Sequence, residues 1–184
     1  MTAKLTVPPF YRYDEHMLDI YTLGDEVLRT KAEKITQFDN ALSILVDAMF
    51  DSMLEADGVG LAAPQVGVSK RLFVVDTRKE GERIAFVNPE IIQMSHESIA
   101  HEEGCLSIPG MYYDITRPAK VTVQAQDVNG KSFVLEASGL LARVIQHEYD
   151  HLEGVLFIDR MDEESRKALI ASYERRNNKK KKKK

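Results

Sequence analysis

Residues 146–154 read Gln146-His147-Glu148-Tyr149-Asp150-His151-Leu152-Glu153-Gly154, with two histidines four positions apart. On a helix of 3.6 residues per turn, that spacing puts both imidazoles on one face about one turn apart, within reach of a single metal ion. Glu148 lies between them. Its carboxylate can approach water at such a metal without ligating it, and so can take up and return a proton during hydrolysis. The bland alternative is a charged, solvent-facing helix with chance histidines. Working outward, Leu141, Val144, Ile145 and Tyr149 recur at helical spacing and Ser138 is a natural cap, which predicts a helix over 138–152.

A catalytic metal site needs a third protein ligand and an open coordination position. The sequence has a single cysteine, Cys105, in Glu103-Gly104-Cys105-Leu106-Ser107. There the glycine permits close backbone approach, and a metal's charge would stabilise the thiolate. Taken alone, a lone cysteine is more often a small buried hydrophobe. A third segment, Gly58-Val59-Gly60-Leu61-Ala62-Ala63-Pro64-Gln65, combines two glycines with small residues. Backbone can approach a ligand closely there, and Gln65 offers an uncharged donor for a developing oxyanion. Its alternative reading is a tight loop packed on the core.

The rest of the chain supplies a scaffold. From Asp39, the residues Leu42, Leu45, Val46, Met49 and Met53 form an apolar helical face that ends near Gly58. Short β-rich runs follow at 71–76, 84–87, 91–94 and 120–126, broken by Gly, Pro and Asn. Asn129-Gly130, between Val121-Val123-Ala125 and Phe133-Leu135, signals a hairpin turn. A last helix is expected over 162–175, with Asp162-Glu163-Glu164 at its positive end and Arg175-Arg176 at its negative end. The expected fold is α+β: mostly antiparallel sheets packed around a central metal-binding helix, with an N-terminal core helix and a C-terminal helix. The expected organisation is an extension over 1–17, a catalytic domain over 18–176 and a basic tail over 177–184. The extension would wrap the domain or remain loose.

The 184 residues are 43% hydrophobic and 29% charged, enough for one domain with a real core and without a stretch that spans a bilayer. No signal peptide is legible, because Pro8 and Pro9 interrupt the short apolar start. One cysteine allows no internal disulfide, so the cytoplasm is expected. The net charge of −4 hides an asymmetry: without Lys179 to Lys184 the chain has 19 basic against 29 acidic residues, or −10. Any polyanion contact therefore belongs at the tail, and neither DNA nor membrane is an expected partner.

Together the three segments resemble the peptide deformylases, whose motifs G-x-G-L-A-A-P-Q, E-G-C-L-S and Q-H-E-x-D-H-L-x-G all stand here in order. The resemblance covers about 18–160. It implies a metallo-amidohydrolase that removes the N-formyl group from the formylmethionine of nascent polypeptides and releases formate. Cys105, His147 and His151 would then bind the metal, Glu148 would be the acid/base, and Gln65 with the Leu106 N–H would stabilise the tetrahedral intermediate. Backbone groups of Val59, Gly60 and Gly104 would pair with an extended substrate. Val59, Leu140 and Val144 would line a pocket for methionine, and Glu103 paired with Arg117 would orient a ligand. One departure stands out: many members carry Arg three residues after the Pro of S-x-P, where this chain has Tyr112.

By geometry a Cys-His-His set suits zinc and also accepts ferrous iron. The resemblance implies Fe(II), with Zn, Ni or Co as other occupants. The charge asymmetry suggests that the segment from about Asp162 onward, with the lysine tail, docks on ribosomal RNA phosphate, a role similar to that of C-terminal helices in some relatives; the alternatives are a merely solubilising, solvated tail or an expression remnant. The rivals are an H-E-x-x-H metalloprotease of another fold, which would usually need a third His or Glu ligand, and a non-catalytic metal- or peptide-binding module. The latter would need neither Glu148 nor Gln65.

Overall fold

The computed structural model describes the backbone of residues 17–181 and side chains as far as residue 179. The extension expected over 1–17 therefore lies outside the described residues except at its last position, as do residues 182–184 of the tail.

The helix expected after Asp39 is α1 (Asn40–Glu55), with the Asp39 carboxylate capping the Leu42 N–H at 3.1 Å. Strands β1 (Gly60–Ala62), β2 (Leu72–Asp76), β3 (Arg83–Met94), β6 (Lys120–Gln126) and β7 (Ser132–Ser138) form one antiparallel sheet in the order β1-β2-β3-β6-β7. Strands β4 (Ser98–Gly104) and β5 (Tyr112–Pro118) form a separate two-stranded antiparallel ribbon. The His-bearing helix is α2 (Gly139–Leu152), and α3 (Glu163–Lys181) closes the chain.

Strand β2 shows why the sheet takes a helix on each face. Its side chains alternate, so Leu72 and Val74 join the α1 residues Leu42, Met49 and Met53, while Phe73 and Val75 join the α2 residues Ala142 and Ile145. Both faces are buried, which is why this run reads as continuously apolar. The β6–β7 hairpin is one-sided: Val121, Val123, Ala125, Phe133, Leu135 and Ala137 face α2. A third cluster, with Ile108, Met111, Ile115, Phe157 and Tyr173, packs the ribbon against α3.

Several expectations need adjustment. The runs 84–87 and 91–94 belong to one strand, β3, whose register against β6 shifts at two places. Asn88 takes φ +50° at the bend, and its side-chain amide bonds the N–H and C=O of Ile35 at 2.8 Å each. Pro89, which has no N–H, follows it, so the break that looks like a loop is a bulge. The hairpin turn forms, but as a five-residue connection with Gly130 at φ +80° and the Asp127 carboxylate accepting from the N–H groups of Asn129 and Lys131. Ser138 occupies the N-cap position of α2 without a side-chain cap bond.

The ribbon has no counterpart among the expected strands. Its inward positions include Glu103 and Arg117, and charges at those positions erase the apolar alternation that marks a strand. The last helix runs past the expected 175 to Lys181, because no Gly or Pro interrupts its Arg, Asn and Lys residues. No helix among the described residues is long and apolar enough to cross a membrane.

Candidate active site

The three segments singled out in the sequence converge on one cavity of about 420 Å³. It lies between the edge strand β1 and the end of β4, with α2 as its floor. Eleven of the thirteen expected residues line it: Val59, Gly60, Gln65, Glu103, Gly104, Cys105, Leu106, Leu140, Val144, His147 and Glu148. The other two stand directly behind, His151 one turn along α2 and Arg117 against Glu103.

Cys105 leaves the end of β4, and the turn after it closes with Ile108 N–H donating to Cys105 O at 2.9 Å. That turn aims the thiol at α2, where Cys105 Sγ lies 3.3 Å from His151 Nε2. One ligand atom from each of Cys105, His147 and His151 falls within 4.8 Å of the others. The two rings meet edge to face at 5.1 Å, as expected one helical turn apart. A thiol and two buried imidazoles converging in this way fit a divalent transition metal. The donor set leaves the cavity side open.

Behind the ligands lies a buried charge network. His147 Nδ1 sits 3.0 Å from Glu103 Oε2, which holds the ring with its Nε2 toward Cys105. Arg117 binds Glu103 through two nitrogens, at 2.6 and 2.9 Å, and reaches Asp150 Oδ2 at 2.8 Å. Burial opposes ionisation of Glu103, but the hydrogen bonds with His147 and Arg117 outweigh it and hold the carboxyl well below its usual range. Arg143 adds a third donor to Glu103 at 2.8 Å and binds the Ile99 and Ile115 carbonyls at 2.6 Å each. Arg160 pairs with Asp150 from the far side. Asp150, Arg143 and Arg160 were not singled out from the sequence. Asp150 carried a signal, since it falls on the buried face of α2 one turn from His147.

Glu148 is buried, and its Oε2 has no hydrogen-bond partner among the described residues. Burial pushes its pKa up to about 7; Glu103 adds to that rise, while His147 and Arg117 oppose it. A cation at the Cys-His-His cluster would draw it down again. Gly60 faces this carboxylate so closely that a Cβ there would collide with Glu148 Oε1 and stand 2.6 Å from Val144 Cγ1.

Gln65 sits in the single helical turn Ala63–Val66 that follows β1. Its Oε1 accepts from Ala62 N–H at 2.8 Å, and its Nε2 donates to Ser107 Oγ at 3.1 Å, 3.6 Å from Cys105 Sγ. The amide is thereby oriented with its NH2 toward the thiol. Among the described residues β1 and β4 each pair on one side only, which leaves their other edges free at the cavity. Tyr112 stands at the mouth, 61% exposed, with its ring against Gly104.

Comparisons with known proteins identify the family. A family model described as polypeptide deformylase matches residues 17–167. A peptide deformylase from Treponema pallidum is 48% identical over 156 residues, which cover 85% of this chain and 95% of that protein. The crystal structure of a peptide deformylase from Legionella pneumophila superposes with a TM-score of 0.84 at 44% identity, over 89% of this chain and 97% of that one. A peptide deformylase from Synechococcus elongatus in complex with actinonin gives 0.78 at 45% identity, over 81% and 83%. The chain belongs to the polypeptide deformylase family.

Proposed function

We infer that the protein is a metal-dependent hydrolase that removes the N-formyl group from N-formylmethionyl peptides, releasing formate and a free amino terminus. The observation that carries this is the meeting of Cys105, His147 and His151 with an unpartnered, buried Glu148 at the floor of one cavity. A metalloprotease of another fold is set aside by the family match.

Cys105 Sγ and the Nε2 atoms of His147 and His151 would hold the divalent cation. When bound, it supplies Lewis acidity, which makes water a nucleophile at neutral pH and polarises a carbonyl. The protein's own groups do the remaining work. Glu148 takes a proton from the attacking water at Oε2 and returns it to the departing amine nitrogen, so water and formamide become formate and amine with atoms balanced. Gln65 Nε2 and the Leu106 N–H donate to the oxygen that gains charge as the carbonyl carbon becomes tetrahedral. The peptide lies extended between the free edges at Val59, Gly60 and Gly104, as an added strand would. Its methionine side chain enters the apolar wall of Val59, Leu140 and Val144. Glu103, held by Arg117, keeps His147 in its ligating orientation.

We assign Fe(II) as the working metal, with Zn, Ni and Co compatible with the same ligands, and the cytoplasm as the compartment. The catalytic unit would span 18–176. Beyond Tyr173 no residue of α3 is buried through residue 179, and Arg175 and Lys179 are exposed there. A cationic helix end of this kind suits ribosomal phosphate, giving sequence-independent, salt-sensitive docking. Deleting 179–184 should leave turnover of a short peptide unchanged and weaken co-sedimentation with ribosomes at low salt. Equal sedimentation would remove the docking role.

The central test is formate release from a formyl-Met peptide by anaerobically purified protein of measured metal content. Stoichiometric iron with turnover is expected. Cys105→Ala, His147→Ala and His151→Ala should each lose the metal, since two protein ligands hold too little. Full metal occupancy in any of them would contradict the assignment.

A further inference from the structure

The structure points to Arg176, near the end of α3, as a positioning residue for the substrate. We propose that it fixes the cavity rim at 109–112, which meets the peptide beyond its first residue; this rests on the deformylase reading above. Residue 176 lies past the region that the family model matches, which ends at 167.

The rim consists of Pro109, Gly110, Met111 and Tyr112, all of which line the cavity. Gly110 has φ +76° and follows Pro109 in a turn closed by Met111 N–H donating to Ile108 O at 3.3 Å, so the turn has a shape of its own and Arg176 anchors it from outside. Arg176 Nη1 donates to Gly110 O at 2.6 Å. Its guanidinium also occupies the space where a side chain at Gly110 would stand, with Cζ 3.1 Å from a Cβ built there. Below that bond, Ile108 and Met111 pack in one apolar cluster with Ile170 and Tyr173 of α3. At the start of the helix, the Tyr113 hydroxyl is 3.0 Å from Ser165 Oγ and donates to Asp162 Oδ2 at 3.2 Å. The helix thus grips the segment 108–113 at three levels, and only the Arg176 level acts directly on the rim backbone.

The consequence for substrate follows from where the rim lies. Tyr112 is the ladder partner of Gly104 across the ribbon and rests its ring against it, while the opposite edge of β4, where an extended peptide would pair, is free among the described residues. In the proposed pose the formyl and methionine groups would reach inward to Glu148 and Val144, and the residues after them would run along the cavity wall that Gly104 and Tyr112 share. Loosening Gly110 therefore weakens binding of longer peptides without touching the proton chemistry.

The test compares formyl-Met amide with a formyl-Met tripeptide on the holoenzyme and on its Arg176→Ala and Arg176→Lys variants. For Arg176→Ala, KM for the tripeptide should rise about threefold to tenfold, the scale of one ordinary net hydrogen bond. KM for the amide, kcat and metal content should stay within about twofold, and Arg176→Lys should recover most of the loss. Hydrogen exchange at the Met111 and Tyr112 amides, measured without substrate, should speed up in Arg176→Ala. Equal KM shifts on both substrates, or an unchanged tripeptide KM, would overturn the substrate role. Unchanged exchange would overturn the clamp itself. If the wild type releases no formate from either substrate, the functional reading fails, and the exchange result alone decides the clamp.

Discussion

At the scale of single residues, the site depends on what is close to Glu148. Its Oε2 lacks a partner among the described residues while its Oε1 faces Gly60. Glu148→Gln keeps the shape but removes the base, so kcat should fall roughly 100-fold or more with metal retained. Near-normal turnover with full metal would show that another group moves the proton. Gly60→Ala addresses the same carboxylate from the other side. The added methyl would displace Glu148 and Val144, and kcat/KM should drop about 10- to 100-fold, the usual cost of misplacing a reacting group by about an ångström. Metal content should be unchanged; a fully active variant would mean that β1 yields without disturbing the carboxylate.

At the scale of elements, the metal site joins two sheets that share no backbone ladder among the described residues. The β4–β5 ribbon brings Cys105 and Glu103, while α2, packed on the five-stranded sheet, brings both histidines. Side chains make the connection: Arg117 to Glu103 and Asp150, Arg143 to the Ile99 and Ile115 carbonyls, and Gln146 Nε2 to Pro118 O at 3.0 Å. Arg117→Met would leave Glu103 and Asp150 buried without their shared cation. Breaking a buried pair in this way costs about 3–5 kcal/mol, because the remaining charge is uncompensated. Urea unfolding should register that loss, together with weaker metal retention as His147 loses its fixed partner. Stability within about 1 kcal/mol of wild type would show that Arg143 and Arg160 carry the network alone.

At the scale of the whole molecule, ion pairs tie the N-terminal part of the described chain to its C-terminal part. Arg29 pairs with Asp159, Lys31 with Glu153 at 2.7 Å, and Arg71 with Glu153 at 2.5 Å. Burial opposes ionisation of Asp159, but the Arg29 hydrogen bond and the Leu156 N–H hold its pKa below the ordinary value of 3.8. A carboxylate depressed in the folded state contributes stability that is fully present above the unfolded pKa and lost as pH falls through the folded one. Asp159→Asn should therefore destabilise by about 1 kcal/mol or less at pH 7, after allowance for solvent screening. That difference should shrink as the pH falls below about 4, where the unfolded Asp takes up its proton, and vanish only once the folded Asp159 is protonated at lower pH. A gap that widens on acidification would reverse the sign and exclude this account.

The chemistry of this protein was legible in its sequence because each chemical role demands a residue type at a fixed local spacing. The His147–His151 interval, Glu148 between them, and the Gly-rich run before Gln65 are short-range patterns, and so is the strict alternation of β6. Tertiary structure alone decided what depends on partners distant in the chain. It turned the break at Asn88 into a bulge, because Ile35 satisfies the Asn88 amide from more than fifty residues away. It made a ribbon of 98–118, because Glu103 and Arg117 can be buried on inward positions only when each compensates the other's charge. It also brought Arg176 onto Gly110 and Arg143 onto two strand carbonyls, contacts that no local periodicity encodes.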